Sequence, residues 1–214
     1  MLRAISPGHD AAPPARWQQR KSAATRQRLI DAGVIRLVEA GYGGLTTAAV
    51  AERCKVSRGA MHHHFPTRMA LVEAVVEHVF YQRMRGFLEA YFAAIGERGE
   101  DTLVEIACDL HWQSVQSSEY AAYLELAVAA RTDAELERCF TPAACRYDAV
   151  WTAEMIEAFP QWRRHWEAMK LANDLVLTAH MGMLLHKPVF GEGERMERLR
   201  RYISHVLRAL YEEA

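Results

Sequence analysis

The sequence predicts an all-α protein of about nine helices. From residue 22 onward, apolar residues recur at spacings of three and four, which is the period of one helix face. Glycine and proline are infrequent beyond residue 43, and half of the 214 residues are apolar. A chain of this length and composition can bury a sizeable core in one or two domains.

The first helix is predicted over about residues 23–41. Its buried side is expected to consist of Leu29, Ile30, Gly33, Val34, Leu37 and Val38. The preceding residues 1–21 contain three of the seven prolines and show little periodicity, so we expect a flexible tail.

Residues 46–71 indicate two short helices joined by a tight turn, followed by the start of a long helix. Thr46 or Thr47 can N-cap the first short helix, because each hydroxyl can accept from a free N–H of the first turn. Residues 55–57 interrupt the helical spacing, with Val56 as their single apolar member. This is the layout of a helix-turn-helix, which places its second helix in the major groove of DNA.

The second short helix, about residues 58–65, is predicted from its ends and its periodicity. Ser57 is a favourable N-cap, and Pro66 stops the helix. Met61 and Phe65 are four residues apart and therefore share the buried face. Its other sides carry Arg58, Ala60, His62 and His63.

Charge is divided unevenly along the chain. Residues 1–68 hold 11 Lys/Arg and 4 Asp/Glu, a net charge of +7, whereas the remainder holds 15 basic and 23 acidic residues, a net charge of −8. The positive part coincides with the helix-turn-helix, as phosphate binding requires, and this disfavours the alternative of a merely solvated basic face. In the tail, Arg16, Arg20 and Lys21 either follow the DNA or belong to an inert segment.

The rest of the chain is predicted to form further helices. A long fourth helix covers about residues 67–95 and is expected to end at Gly96 and Gly99. Later helices are predicted at about 101–115, 118–131, 141–159, 161–186 and 193–212, with a short helical turn after Asp133 and a loop over 187–193. The helix at 141–159 is expected to start at Thr141-Pro142, because proline is favoured at the first helical position.

The last two helices carry more apolar surface than one chain needs. Residues 168–185 are apolar nearly all round, which implies burial on two sides. The final helix has an apolar stripe of Leu199, Ile203, Val206, Leu207 and Leu210. We therefore expect a homodimer through these helices, and a two-fold dimer favours a pseudo-palindromic DNA site.

The segment 41–75 resembles the DNA-binding domain of the tetracycline-repressor (TetR) family of bacterial transcription regulators. The matching residues are Gly41-Tyr42 at the end of the first helix, Thr46-Thr47, Ala51, Val56-Ser57, Gly59, Phe65 and Leu71. The resemblance covers about residues 22–80, and beyond them only the length and the helical pattern agree. It implies a helix-turn-helix domain over 22–66 and a helical ligand-binding and dimerisation domain over 67–214.

This chain departs from the family pattern at a few positions. His62 stands where the family usually has tyrosine, His63 stands where it often does, Met61 replaces a common leucine, and Arg36 occupies a place that is usually apolar. A histidine can also donate to phosphate, more strongly when it is protonated, so pH-sensitive DNA binding is a possible consequence. Three consecutive helical residues point about 100° apart, so His62, His63 and His64 are not expected to share a metal ion.

The resemblance and the helix geometry together predict the DNA contacts. Arg58, Gly59 and Ala60 lie at the N-terminal end of the recognition helix, where Arg58 can pair with a guanine. The other predicted DNA-contacting residues, most of them expected to hold phosphates, are Thr25, Thr47, Lys55, Ser57, His62, His63, Thr67 and Arg68.

The resemblance also implies a small-molecule effector bound among the middle helices. The candidate lining residues are His111, Trp112, Tyr120, Tyr123, Trp151, Met155, Asn173 and His180. For each aromatic residue, plain core packing is the alternative. Asn173 and His180 are seven residues apart and are expected to face either a ligand or the dimer seam, because polar groups on an apolar helix need partners.

The sequence gives no motif for catalysis, a cofactor or a metal. It holds no nucleophile elbow, phosphate-binding loop or HExxH, and its four cysteines form no paired motif, as expected in a reducing compartment. Without an apolar signal-peptide core or a membrane-length apolar run, we expect a cytoplasmic protein. The function favoured is a ligand-responsive repressor, with an activator or a ligand-independent DNA-binding protein as the alternative.

Overall fold

The computed structural model describes residues 17–98 and 103–212. These residues are almost entirely helical and contain no strand, which confirms the predicted all-α class. None of the helices in this part of the chain is long and apolar enough to cross a membrane.

The described helices follow the predicted order. In sequence they are α1 (Trp17–Gly44), α2 (Thr47–Cys54), α3 (Arg58–His64), α4 (Arg68–Arg98), α5 (Leu103–Ser114), α6 (Ser118–Ala130), α7 (Ala134–Ala158), a 3₁₀ helix (Pro160–His165), α8 (Trp166–Leu185), α9 (Lys187–Phe190) and α10 (Glu194–Glu212).

Helix α1 begins earlier than predicted. It starts at Trp17 rather than near residue 23, so residues 17–21 are helical and not part of a flexible tail. The Lys21 ammonium group lies 5.2 Å from the centre of the Trp17 ring, which is a cation–π distance that favours this first turn. Residues 1–16, and with them Arg16, lie outside the described part of the chain. Near the predicted end of α1, Gly41 interrupts the helix with a φ of 65°, and a further helical turn continues to Gly44.

Helix α7 corrects the predicted start at Thr141-Pro142. The Asp133 carboxylate accepts from the N–H groups of Glu135 (3.0 Å) and Leu136 (2.9 Å), so the helix begins at Ala134 and Pro142 lies in its interior. The proline removes one hydrogen bond of the helix. The apolar stripe that keeps the helix continuous is buried on both sides of the proline and consists of Leu136, Phe140, Ala143 and Tyr147.

Two other boundaries differ from the prediction. Helix α4 continues through Gly96 to Arg98, because one interior glycine costs only about 1 kcal/mol in a helix that buries Leu88 and Tyr91. The predicted loop over 187–193 contains the short helix α9, which ends at Gly191 with a φ of 69°.

The described residues form two compact units. The first contains the residues up to Met84 together with Ser118–Trp151, and the second contains Arg85–Ser117 together with the residues from Thr152 onward. These units are defined by the contacts between residues and not by function. The functional division at residue 66 stays a prediction.

In the first unit, α1 packs against α2 and α6. Its core includes Leu29, Leu37, Leu45 and Val50, all fully buried. Helices α1 and α4 approach closely at Gly33, where a Cβ atom would lie 2.8 Å from a Val75 methyl group. A side chain at this position would therefore force the two helices apart.

In the second unit, α8 packs against α10, and α5 contacts both. Apolar residues from all three helices are buried there: Ile106, Met183, Ile203 and Leu207. Two buried polar residues, His111 and His180, lie in the same unit.

Candidate nucleic-acid interface

The turn between α2 and α3 has the geometry of a helix-turn-helix. Of the two predicted N-caps of α2, Thr46 takes the role: its hydroxyl accepts from the Ala49 N–H at 3.2 Å. Lys55 closes the helix in a left-handed conformation, with φ 54° and ψ 42°. The Val56 N–H then bonds the Ala51 carbonyl at 3.0 Å, which returns the chain towards α3. A lysine in this conformation is strained, and its side chain is exposed at the tip of the turn.

Helix α3 is anchored on one side and exposed on the other. Ser57 caps it as predicted, accepting from the Ala60 N–H at 3.1 Å. Met61 and Phe65 are 2% and 1% exposed, as their spacing predicted. On the outer side Arg58, Gly59, His62 and His63 are exposed and Ala60 is half-buried.

Gly59 is not needed for packing within the chain. A Cβ atom there would meet only the Ser57 hydroxyl oxygen, at 3.9 Å. The open surface at this position leaves the backbone of α3 accessible to a partner outside the chain.

The exposed face of α3 is cationic. Helix α3 contains no acidic residue, and among the described residues neither Arg58 nor Lys55 forms an ion pair. Arg53 on α2 differs, because it pairs with Glu39 at 2.9 Å. Free cationic side chains therefore lie at the turn and at the first residue of α3, where phosphate and base contacts are expected.

Arg68 is held within the protein rather than displayed on its surface. Its guanidinium group donates to the Leu45 carbonyl (2.8 Å), the Tyr42 carbonyl (2.8 Å) and the Tyr42 hydroxyl (3.2 Å). It also lies 4.3 Å from the centre of the Tyr42 ring. These contacts fasten the start of α4 to the end of α1, so a role in DNA binding, which stays a prediction, would include positioning of the domain.

The three predicted threonines occupy different places. Thr25 lies inside α1, where its hydroxyl donates to the Lys21 carbonyl at 3.0 Å, so the expectation of a helix N-terminus near Thr25 is wrong. Thr47 is the half-buried first residue of α2. Thr67 is exposed and accepts from the Ala70 N–H at 3.0 Å, which caps α4 as predicted.

The three consecutive histidines do not converge. His62 and His63 are exposed, whereas His64 is half-buried and meets the His63 ring edge-on at 5.3 Å. Burial lowers the pKa of His64, and the nearby His63 and Arg26 lower it further. Within the described part of the chain, no group of three or more His, Cys, Asp or Glu side chains is arranged to hold a metal ion.

Helix α6 joins the helix-turn-helix to the rest of the first unit. It packs along α1, and a Glu125 carboxylate oxygen lies 3.1 Å from where a Cβ atom of Gly41 would be. In the turn after α6, Asp133 forms a side-chain hydrogen bond with Tyr42, the residue that holds Arg68. Two kinds of contact thus connect α6 and the turn after it to the C-terminal end of α1.

The predicted pocket residues are distributed over both units. In the first unit, Tyr120 is buried, and Tyr123 and Trp151 are half-buried. The rings of Tyr120 and Tyr123 meet edge-on at 5.5 Å. In the second unit His111, Trp112, Met155 and His180 are buried, whereas Asn173 is half-buried and donates to Asp174 at 3.2 Å.

The structure brings His111, Trp112 and His180 together. The Nδ1 atoms of the two histidines are 3.0 Å apart, so one ring donates to the other, and the rings stack with centroids 5.2 Å apart. Trp112 meets His180 edge-on at 5.4 Å. Burial, with a smaller contribution from Arg200, lowers the pKa of His180 to about 4, so the His180 ring is neutral near pH 7.

A cavity of about 260 Å³ adjoins His180 in the second unit. It is lined by charged rather than aromatic residues, and most of these charges are paired. Arg200 pairs with Asp109 (2.8 Å) and Glu197 (3.0 Å), and Arg208 pairs with Glu105. Of the eight predicted pocket residues, His180 alone lines this cavity.

Sequence reasoning missed Arg83. This residue lies on α4 between Phe80 and Phe87, and its guanidinium group lies over the rings of Tyr120 (4.4 Å) and Tyr123 (3.8 Å). The signal available in the sequence was an arginine within an otherwise apolar helical stripe.

Comparisons with known proteins agree with this geometry. The profile of the family "Bacterial regulatory proteins, tetR family" matches residues 29–75, which cover α2, α3 and the adjoining parts of α1 and α4. The HTH-type transcriptional regulator CymR of Pseudomonas putida is 32% identical over 124 residues, covering 58% of this chain and 60% of CymR. The HTH-type transcriptional regulator BetI of Burkholderia ambifaria is 27% identical over 147 residues, covering 69% and 76%.

Solved structures share the fold. A TetR-family member from Streptomyces coelicolor A3 superposes with a TM-score of 0.61 at 22% identity, covering 86% of this chain and 96% of its own. The multidrug binding protein EbrR in complex with imidazole superposes with a TM-score of 0.60 at 19% identity, covering 87% and 89%. At these identities the likeness concerns the architecture alone.

Proposed function

The chain is a DNA-binding transcriptional regulator of the tetR family, and from this premise we propose that it is a repressor that leaves its operator when it binds a small molecule. The observation that carries the proposal is the exposed cationic face of α3. Helix α3 contacts α2, α2 packs on α1, and α1 packs on α6, which carries the aromatic residues Tyr120 and Tyr123. DNA is its partner, so we place its action in the cytoplasm.

The proposed DNA contacts follow from exposure and, for Arg58 and Lys55, from the absence of ion pairs among the described residues. Arg58 at the start of α3 is free to bind a guanine edge, and Gly59 and Ala60 add little bulk beside it. Lys55, His62 and His63 lie exposed around them and would bind phosphates, which fixes the register on the duplex. Ser57, Thr47 and Thr67 would contribute helix N-termini.

A homodimer through α8 and α10 is supported by apolar surface that one chain leaves exposed. On α8, Leu171, Leu175 and Leu185 are 58%, 36% and 62% exposed and lie along one stripe. On α10, Tyr202 is 65% exposed. A second copy of the chain would cover this surface, and its recognition helix would bind the second half of a pseudo-palindromic operator.

Control by a small molecule is supported by the connection from the aromatic residues to the DNA-binding domain. Tyr120 and Tyr123 belong to α6, the helix that packs along α1. A ligand that moved α6 would act on Gly41 and Tyr42, and through Tyr42 on Arg68. EbrR, whose structure this chain resembles in fold, is described as a multidrug binding protein.

Transcription in vitro tests the proposal. A duplex that binds the protein would be placed across a promoter, and transcripts would be counted with and without the protein and with a library of small molecules. We expect the wild-type protein to reduce transcription and a ligand to restore it, whereas Arg58→Ala leaves transcription high. An increase in transcription would identify an activator, and repression that no ligand reverses would identify a ligand-independent DNA-binding protein. Both results would contradict the proposal.

A further inference from the structure

Arg83 is a half-buried cation that has no counter-charge among the described residues. Its Nε atom is fully buried and has no hydrogen-bond acceptor. Among residues 17–98 and 103–212, no carboxylate pairs with it, and its polar interactions are with the tyrosines of α6: it hydrogen-bonds Tyr120 and lies over the rings of Tyr120 and Tyr123. Burial accordingly lowers the pKa of Arg83, although a guanidinium group remains charged at neutral pH.

The surroundings of Arg83 are aromatic. Phe80, one turn earlier on α4, contacts three rings that we call, together with Phe80, the aromatic cluster: Tyr123 (5.5 Å), Phe140 (5.3 Å) and Tyr147 (5.4 Å). Arg146, which lies 5.5 Å from the centre of the Tyr147 ring, is already paired with Glu77. Shielding part of a charged group from water is costly, as for the Arg83 Nε atom, and cation–π contacts offset only part of that cost.

We propose that Arg83 anchors the effector, and that the effector is a small organic carboxylate whose apolar part lies against the aromatic cluster. The proposal rests on the ligand-responsive function proposed above. A carboxylate matches the planar guanidinium group with two parallel hydrogen bonds, and one negative charge balances the one unpaired positive charge. A phosphate dianion would bring a second negative charge for which this cluster offers no free cation.

This assignment gives the ligand a route to the DNA-binding domain. Tyr120 and Tyr123 lie on α6, and α6 packs along α1. A carboxylate that drew the guanidinium group away from the two rings would change the packing of α6. Regulation would therefore begin at a helix that the DNA-binding domain already contacts.

A series of compounds that differ in charge tests the proposal. The full-length protein would be melted with equal concentrations of benzoate, benzamide, benzylamine and phenyl phosphate. We expect benzoate to raise the melting temperature by about 2–5 °C and the neutral and cationic analogues to have little effect. Arg83→Met should weaken benzoate binding about 10- to 100-fold, as expected for the loss of a charge-assisted hydrogen-bonded pair.

Controls separate an anchor from a structural residue. Arg85→Met alters an exposed arginine on the same helix that pairs with Glu89, and it should leave benzoate binding unchanged. Arg83→Met should melt no lower than the wild type in ligand-free buffer, because it removes a half-buried charge that pairs with no carboxylate among the described residues. Arg83→Lys should retain part of the benzoate response. Equal responses to benzoate and benzamide, tighter binding of phenyl phosphate than of benzoate, or an unchanged response in Arg83→Met would each overturn the proposal.

DNA release distinguishes this inference from the function on which it rests. If a neutral compound releases the operator from both wild type and Arg83→Met, the repressor function stands and the carboxylate inference fails. If benzoate binds through Arg83 but no compound releases DNA, the binding inference stands and the proposed function fails.

Discussion

The recognition helix and the interior of the two units hold their ionisable groups in opposite surroundings. On α3, Arg58, His62 and His63 are exposed and solvated. In the interior, half-buried Arg83 lies over tyrosine rings with its Nε atom shielded from water, and His180 is 1% exposed against His111. An exposed cation hardly changes the stability of the folded state and remains available to bind a polyanion. A buried ionisable group must be neutral or paired, or it destabilises the folded state.

The difference shows how the two tasks can be separated in one chain. Substitutions on the exposed face should change DNA binding and alter the free energy of unfolding by no more than about 0.5 kcal/mol. Substitutions of the buried groups should change stability or ligand response first. Arg68 lies between the two classes, because it adjoins the DNA-binding face but donates to Tyr42 and Leu45.

The largest expected effect is acid destabilisation through His180. Its pKa is about 4 in the folded state and about 6.5 when unfolded, so the unfolded state binds more protons between these values. Stability should be full above about pH 6.5 and fall by about 3 kcal/mol as the pH drops to about 4. Urea unfolding across this range measures it, with His180→Phe predicted to flatten the profile and His205→Phe, an exposed position, to retain it. Parallel profiles for wild type and His180→Phe would contradict the assignment.

Arg68→Met should lower the free energy of unfolding by about 2–3 kcal/mol. It removes charge-assisted hydrogen bonds to the Tyr42 carbonyl and to the carbonyl of buried Leu45. The Tyr42 carbonyl keeps the Leu45 N–H as a donor, whereas the Leu45 carbonyl loses the Arg68 donor. Thermal denaturation measures the change, and Arg58→Met, at an exposed position, is the matched control with an effect within about 0.5 kcal/mol. If Arg68→Met melted like the wild type and lost only DNA affinity, Arg68 would be a phosphate ligand rather than a residue that stabilises the packing of α4 against α1.

Arg58→Ala should weaken operator binding by about 2 kcal/mol, which is roughly 30-fold, and should reduce preference for one base pair in each half-site. Arg58 is exposed and forms no ion pair with the described residues, so the melting temperature of the variant should equal that of the wild type. Fluorescence anisotropy with matched and mutated duplexes measures both affinity and preference. A uniform loss on every duplex would reassign Arg58 to phosphate binding.

Gly59→Ala should give the smallest effect. It should raise the stability of the protein and lower its affinity for the operator. Alanine has room within the chain and favours the helix, so stability should rise by about 0.5 kcal/mol. Operator affinity should nevertheless fall, because the added methyl group faces the partner. Unchanged affinity would show that the backbone at Gly59 does not approach DNA closely.

The sequence alone predicted the helix-turn-helix closely. The cap at Ser57, the burial of Met61 and Phe65 and the exposure of Arg58 all follow from short-range rules of spacing and capping. The start of α1 and the continuity of α7 were predicted wrongly. In α7 the deciding group was the Asp133 carboxylate, whose capping position outweighed the proline signal eight residues into the helix.

Contacts between distant segments were not predictable in this way. The hydrogen bond between His111 and His180 joins residues 69 apart in sequence, and the placement of Arg83 over Tyr120 and Tyr123 joins α4 to α6. Residue spacing shows which side chains share a face of one helix. It does not show which face of another helix meets them.

Selection of bound duplexes from a random pool tests the central claim most directly, which is that α3 of a two-fold dimer reads DNA sequence. Wild-type protein and Arg58→Ala would be carried through the same selection, and the bound DNA would be sequenced. We predict that the wild type enriches an inverted repeat whose half-sites lie about one helical turn or more apart, and that Arg58→Ala loses the preference at one position of each half-site. A wild-type pool without an enriched inverted repeat would contradict the account.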